Sequence, residues 1–398
     1  MADEFHVIGS REAYDEAVER IAAGAGPVAV DAERASGFKY SQRAYLIQLY
    51  RRGSGTFLFD PTLLDGFAEL QELIRDEEWV LHAASQDLAC LREVGLDPSR
   101  IFDTELAARL LGMPRVGLAT VVEELLGIRL AKEHSAADWS TRPLPQSWLH
   151  YAALDVELLV DVRDHLAERL DETGKSAIAQ QEFDATVHRE AKPPAAEPWR
   201  RLSGIHALRS PRNLAVARAL WQARDALAVE VDVAPGRLIP DASILAVAKS
   251  LPESRRALAD LKAFNGRASR TELDRWWAAV EAARTADPPA TRVPSDAPPP
   301  PRAWAARNPE ADARLRLAKA AVTEAAEQLG MPVENVLTPD HLRRVAWQPP
   351  AEPTAANVSD ALAALGARPW QLEATSHRIA EAFVKAAQSL EDAAHEPS

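Results

Sequence analysis

The stretch Val28-Ala29-Val30-Asp31-Ala32-Glu33 begins as a buried strand and ends with two acids. The β-branched residues on either side of Ala29 predict the strand, and residues two apart on a strand share a face, so Asp31 and Glu33 lie side by side. Two neighbouring carboxylates repel each other unless a cation lies between them, and a divalent metal ion is the natural candidate. The pair alone also fits a strand end whose acids point into water, so other residues must show whether the pair binds a metal ion.

The sequence around this strand predicts an α/β domain. Residues 44–50 and 56–59 predict two more strands, which form an antiparallel meander with the first, and residues 79–83 predict a fourth. Helical spacing is present at 11–22, 63–75, 86–93, 104–111, 118–126 and 146–170. Strands followed by helices in this order fit one mixed sheet covered by helices.

Proline-rich segments divide the chain into three parts. We predict an α/β domain at 1–191, a linker at 192–198, a helical module at 199–285, a Pro-rich linker at 286–302 and a second helical module at 303–390. The longer linker also fits a polyproline ligand. Leu337-Thr338-Pro339-Asp340 repeats the pattern of Leu238-Ile239-Pro240-Asp241, which favours a duplicated module over coincidence between two Ala-rich bundles.

Charge is distributed unevenly along the 398 residues. The net charge of −13 argues against a protein that simply coats nucleic acid, yet residues 199–283 carry 14 Lys and Arg against 9 Asp and Glu. An acidic first part beside a basic second part fits metal binding and polyanion binding in separate domains, or a solvated surface. The N-terminus lacks a signal peptide and no apolar run is long enough to cross a bilayer, which predicts a cytoplasmic protein. The single cysteine, Cys90, is expected to be a small core residue without chemistry.

Further acids lie at positions that bring them toward the first pair. Asp87 follows the predicted fourth strand, and Asp155 lies in a predicted helix one turn after Tyr151, so those two side chains share a helix face. Asp87 also suits a helix N-terminus, and Tyr151 also fits a core aromatic whose hydroxyl bonds Asp155. His150 is a second candidate for a proton-transfer group, because a histidine pKa lies near neutrality.

The order Asp31-x-Glu33, Asp87 and Tyr151-x-x-x-Asp155 resembles the three motifs of the DEDD family of 3′→5′ exonucleases. The strings at 102–105 and 138–144 resemble the ribonuclease D branch of that family. Residues 224–241 resemble the HRDC domain that follows ribonuclease D. Together the motifs cover about residues 20–285 and are far more specific than any one of them alone.

This resemblance implies a ribonuclease H-like α/β exonuclease domain, a mixed sheet flanked by helices, followed by two all-α HRDC-type domains. It also implies two divalent ions, Mg²⁺ or Mn²⁺, and the removal of nucleotides one at a time from RNA 3′ ends, such as those of tRNA precursors. Asp31, Glu33, Asp87 and Asp155 would hold the metals, and Tyr151 would orient the attacking water and help to deprotonate it.

Tyr151 is preferred over His150 for that role because it shares the helical phase of Asp155. Asp103 is expected to cap the helix that begins at Thr104 rather than to bind metal.

Two other functions remain open from the sequence. A DNA 3′ exonuclease would use the same metal chemistry, whereas a non-catalytic RNA-binding scaffold would not need the intact set of acids. We expect a monomer that binds RNA, without a membrane or an obligate protein partner. The basic side chains of the first helical module are expected phosphate contacts, or else a solvated face: Arg209, Arg212, Arg237, Arg255, Arg256 and Lys262.

Overall fold

The computed structural model describes residues 5–130, 136–190, 193–292 and 296–395. The extreme N-terminus, to which the signal-peptide expectation applied, is outside these ranges, and so are parts of both predicted linkers (residues 192 and 293–295). Within the described ranges, no helix combines the length and the apolar character that a bilayer crossing requires.

One six-stranded mixed sheet forms the centre of the first domain. Its spatial order is β1-β4-β3-β2-β5-β6. The three strands of the predicted meander are antiparallel, and the other three run parallel to their neighbours. The mixed sheet predicted from the sequence is therefore confirmed, with these strands: β1 (Val7–Ile8), β2 (Ala25–Arg34), β3 (Ala44–Arg52), β4 (Gly55–Phe59), β5 (Glu78–Leu81) and β6 (Arg100–Asp103).

Helices flank this sheet and make up the rest of the chain. The first domain contains α1 (Arg11–Ala22), α2 (Ala68–Ile74), α3 (Leu88–Glu93), α4 (Thr104–Leu110), α5 (Leu118–Leu126), α6 (Gln146–Glu157), α7 (Leu159–Glu172) and α8 (Ser176–Val187). The middle part contains α9 (Pro211–Val231), α10 (Pro235–Leu238), α11 (Asp241–Ser250), α12 (Arg255–Ala259), α13 (Arg267–Thr271) and α14 (Leu273–Thr285). The last part contains α15 (Trp304–Arg307), α16 (Pro309–Leu329), α17 (Val333–Val336), α18 (Pro339–Trp347), α19 (Ala355–Ala363) and α20 (Pro369–His395).

The bounds predicted for two helices were wrong, and two strands were not predicted. The helix predicted at 63–75 begins only at Ala68, and the helix predicted at 146–170 is two helices separated at Leu158. The apolar pattern continues across Leu158 because residues on both sides of the break are buried, so the sequence does not reveal it. Strands β1 and β6 were missed since both are short and are defined by long-range pairing.

The two helical parts share one succession of helices. Each contains a 21-residue helix, α9 or α16, which is followed by a four-residue helix and then a longer one. A duplicated module would have this shared order. The cores differ, however: the middle part has its own apolar core, whereas the last part shares one continuous core with the α/β domain.

A polar cluster fastens the last part to that domain. The Arg368 guanidinium donates to both carboxylate oxygens of Glu182 on α8, at 2.6 and 2.7 Å. The indole Nε1 of Trp370 donates to the same carboxylate at 2.8 Å. The last helical part is therefore held by a paired, largely buried charge as well as by apolar packing.

The loop between β2 and β3, residues 35–43, contacts the middle helical part, and we call it the docking loop. Asp232, at the end of α9, accepts a hydrogen bond from the Ser41 backbone N–H at 2.9 Å. Arg237 donates to the Gly37 carbonyl at 2.6 Å, and its guanidinium lies 3.9 Å from the centre of the Phe38 ring. The segment that directly follows Glu33 is thus fixed by a different part of the chain.

Candidate active site

Strand β2 presents its acids where a neighbouring strand ends. Val28 and Ala29 pair with β5, but β5 turns away before it reaches Asp31 and Glu33. The carboxyl end of β2 therefore has an open flank, the usual place for a ligand site in a sheet with parallel strands. A cavity of about 740 Å³ lies there and is lined by both acids.

Helix α6 covers the same face and completes the acidic cluster. Its buried residues Leu149, Ala152 and Ala153 pack on the sheet, which leaves Tyr151 and Asp155, one turn apart, at the cavity. Carboxylate oxygens of Asp31, Glu33 and Asp155 all lie within 4.8 Å of one another. Residues 124 positions apart in the chain thus converge at one point, as the sequence motifs predicted.

Asp87 lines the same cavity from the other side of β2, although it is not part of the tight three-acid cluster. It lies just before α3 and caps none of that helix's N–H groups. Its side chain is 9% exposed and lies 4.0 Å from the guanidinium of Arg34. Asp87 is therefore in reach of the cluster, with a cation beside it.

The turn that leads to Asp87 is held by Asp103. The Asp103 carboxylate accepts from the backbone N–H groups of Ala83 and Ala84 at 3.0 and 2.9 Å. It also accepts from Glu105 and Leu106, which confirms the expected helix cap. With four donors, this carboxylate joins the ends of β5 and β6 and so shapes the wall of the cavity.

The acids are electrostatically crowded. Burial and the charge of Asp31 raise the pKa of Asp87 to about 8, and the same two causes raise the pKa of Asp155 to about 8. Burial, followed by the charges of Asp31, Asp155 and Asp87, holds the pKa of Glu33 well above its ordinary value. Burial also raises the pKa of Asp31. Such a site retains protons unless a cation replaces them.

The donor set fits divalent metal ions. Carboxylate oxygens are the ligands that Mg²⁺ and Mn²⁺ prefer, and three of them lie within the span that one ion can join. The open cavity leaves room for further oxygen ligands from a substrate phosphate.

Tyr151 and His150 occupy different environments. The Tyr151 hydroxyl donates to Asp155 and lines the cavity, and its ring lies 6.5 Å from that of Trp139. Burial, then the charges of Asp155 and Glu33, raise the pKa of Tyr151, so its phenol stays protonated at neutral pH. His150 is exposed, and its ring lies 5.9 Å from Phe5, outside the cavity. This placement favours Tyr151 over His150 as the polar side chain that acts in the cavity, and the Tyr151 hydroxyl serves there as a hydrogen-bond donor to Asp155.

Several cavity residues were not anticipated from the sequence. Arg34 reaches the acids because it directly follows Glu33 at the end of β2. His82 lines the opposite wall, where burial lowers its pKa to about 4 and its Nδ1 lies 2.8 Å from the Thr104 hydroxyl. Arg109, one turn after Glu105, lies beside it. No local pattern marks these positions, since the pairing of β5 with β6 brings them together.

The six predicted phosphate contacts have different surroundings. Arg212 donates to the Ala283 and Ala286 carbonyls, Arg237 binds the docking loop, and Arg255 pairs with Asp274. Arg256 lies 3.8 Å from Asp260 and is 92% exposed. Arg209 and Lys262 are exposed, with no ion pair to any described residue.

Known protein families match the three parts of the chain separately. The model described as 3'-5' exonuclease matches residues 5–171, the HRDC domain model matches 213–280, and the model described as 3' to 5' exonuclease C-terminal domain matches 297–383. The C-terminal helical part therefore matches an exonuclease C-terminal domain, and the HRDC domain model matches only the middle part.

Several curated relatives are ribonuclease D proteins. Ribonuclease D of Cronobacter turicensis is 33% identical over 234 residues, which are 57% of this chain and 62% of the relative. Ribonuclease D of Escherichia coli K12 is 32% identical over 232 residues, 57% of this chain and 61% of the relative. The matched region thus spans about three fifths of the length of these relatives.

Two solved structures extend the likeness to nearly the whole chain. A protein from Bifidobacterium adolescentis is 36% identical, with a TM-score of 0.89 over 96% of this chain and 99% of the other. The Escherichia coli RNase D structure, described as an exoribonuclease involved in structured RNA processing, is 25% identical, with a TM-score of 0.68 over 91% of this chain and 98% of the other. In its exonuclease and HRDC matches and in these relatives, the chain is similar to ribonuclease D, a 3′→5′ exonuclease.

Proposed function

We propose that the protein is a metal-dependent 3′→5′ exoribonuclease that releases 5′-mononucleotides from RNA 3′ ends, with tRNA precursors and other structured RNAs as substrates. The convergence of Asp31, Glu33 and Asp155 in one cavity, with Tyr151 hydrogen-bonded to Asp155, carries the proposal. The relatives named above support RNA as the polymer.

Each side chain has a distinct part in this proposal. The four acids, with Asp87 the fourth, would hold two divalent ions, Mg²⁺ or Mn²⁺, with Asp31 a ligand of them. Bound there, such ions supply an activated water and neutralise charge on the phosphate. Tyr151, protonated, orients the water through its hydroxyl. The site thus combines charge neutralisation with one positioned donor.

The activity is tested with purified protein and two substrates of the same sequence, one RNA and one DNA, each labelled at the 5′ or the 3′ end. We expect 5′-mononucleotides from RNA with Mg²⁺ or Mn²⁺ and none with a chelator. Asp31→Asn should remove the activity while the protein stays folded. Cleavage in the presence of chelator would refute the metal mechanism, and equal cleavage of DNA would make the enzyme a general 3′ exonuclease.

The first helical module holds the RNA body in this proposal. Arg209, His206 and Arg292 surround a cavity of about 690 Å³ together with Arg200, and none of its described lining residues is acidic. Arg200 is paired with Glu197, but the other three have no acidic partner among the described residues. Unneutralised cations around a cavity suit backbone phosphates.

Salt dependence tests this assignment. The double substitution Arg209→Ala, Arg292→Ala should weaken RNA binding and reduce the slope of log affinity against log salt by roughly 1 to 2. Arg255→Ala is the matched control, because Arg255 is already neutralised by Asp274 on the same module. An unchanged slope in the double variant would place the phosphates elsewhere. The monomeric state and the cytoplasmic location remain predictions.

A further inference from the structure

Gln48 carries a buried side-chain amide next to the acidic cluster. It lies in β3 directly opposite Asp31 of β2, and its exposure is 0%. Neither its Oε1 nor its Nε2 atom makes a hydrogen bond to any residue that the structure describes. A buried primary amide offers two donors and an acceptor, and it is costly to leave them unpaired.

Packing gives no reason for an amide at this position. On the same face, the next residue of β3 is Leu46, and the partner across β4 is Leu58; both are buried and apolar. The covering residues of α6 belong to the same apolar cluster. A methionine or leucine would fill this space without leaving polar atoms unpaired, so the reason for the amide must lie in a polar neighbour.

Asp31 is that neighbour. Side chains directly opposite each other on antiparallel strands point to the same face, with Cβ atoms about 4.5–5.5 Å apart. Asp31 lines the cavity, whereas Gln48 is fully buried and is not among the residues that line it, so the amide lies on the side of Asp31 away from solvent. Carboxylates that hold metal ions are commonly oriented by a hydrogen bond of this kind from a residue behind them.

We propose that Gln48 is a positioning residue for Asp31, and that its Nε2–H group donates to the Asp31 carboxylate when a divalent cation is bound. The bond leaves the remaining lone pairs of the carboxylate directed at the cation. The inference rests on the proposed function, because it takes the acidic cluster as the metal site.

Gln48→Met tests the inference, since methionine has a similar length and no hydrogen-bonding amide. Without metal, the variant should unfold at the same temperature as the wild type or a higher one, because an unpaired amide has been removed. Calorimetric titration with Mn²⁺ should show an affinity about 10- to 100-fold weaker than the wild type. The KM for RNA at saturating Mn²⁺ should not change.

Leu46→Met is the matched control, because it places the same side chain on the same strand and face, opposite Glu33. It should bind Mn²⁺ like the wild type. Wild-type affinity in Gln48→Met would overturn the inference. A metal-free Gln48→Met that unfolds at a clearly lower temperature would also overturn it, since the amide would then serve packing. Failure of the wild type to bind Mn²⁺ would instead refute the metal-dependent function itself.

Discussion

Tyr151→Phe removes a single hydroxyl group from the candidate active site. The ring keeps its place near Trp139, and Asp155 loses one hydrogen bond from a protonated phenol. Loss of one hydrogen bond costs about 1 kcal/mol of folding free energy, so the variant should remain folded. Loss of a positioned donor in a catalytic site costs about 3–4 kcal/mol of transition-state stabilisation, which corresponds to a turnover lowered by about 10²–10³-fold.

The assay is steady-state release of mononucleotides from a labelled RNA, with thermal unfolding measured in parallel. The KM should change little, because the hydroxyl is bonded to Asp155 and, in the proposed function, orients the attacking water. His150→Ala is the control: His150 is the neighbouring residue, is exposed and lies outside the cavity, so its loss should change turnover by less than about twofold. A severe loss in His150→Ala, or normal turnover in Tyr151→Phe, would refute the assignment of the donor to Tyr151.

Three more predictions concern the domain contacts and the acids. Asp232→Ala should lower the free energy of unfolding by about 1 kcal/mol in denaturant titration. Asp232→Asn should lower it much less, because an amide oxygen still accepts the hydrogen bond from the docking-loop N–H. Equal losses in the two variants would argue against this contact. Glu182→Ala should cost about 3 kcal/mol by leaving the Arg368 charge unpaired, and adding Arg368→Met should restore part of that loss, whereas a purely additive pair would contradict the pairing. Mn²⁺ affinity should rise from about pH 6 to about pH 9 and then level off. The carboxyl groups of Asp87 and Asp155, with pKa values of about 8, must lose their protons to bind metal. An affinity that does not depend on pH would contradict the raised pKa values of these two acids.

The sheet was predictable where the chain folds back on itself. The strands β2, β3 and β4 follow one another along the chain, and β3 and β4 are joined by a tight turn, so alternation and turn residues identify them. Strand β6 has only four residues, Arg100–Asp103, and depends on pairing with β5 about twenty residues earlier. The break at Leu158 was invisible because burial continues through it. Local sequence patterns therefore identified the strands and helices that short-range interactions determine, and missed those that depend on contacts with residues distant in the chain.

The candidate site divides in the same way. Its acids could be chosen from the sequence because carboxylates at strand and helix ends are chemically conspicuous. Gln48 could not, since a glutamine within an apolar strand has significance only once the register places it opposite Asp31. Arg34 was equally hidden, because its distance of 4.0 Å from Asp87 depends on how β5 ends. Register and strand ends are tertiary properties, and they decide which polar residues serve the site.

The docking loop gives the middle helical part an influence on the acids that sequence alone did not suggest. Glu33 and Phe38 are only five residues apart; one lies in the acidic cluster and the other contacts Arg237. Ser36, between them, lines the cavity. A five-residue connection spans at most about 18 Å, so a displacement of the helical part that exceeds the slack in this connection must move the wall of the cavity. The part of the chain that we propose to hold RNA is therefore connected through the docking loop to the strand that carries Asp31. Weakening the contact of Arg237 with this loop should change the positions of the residues that line the cavity more than those of the buried core residues.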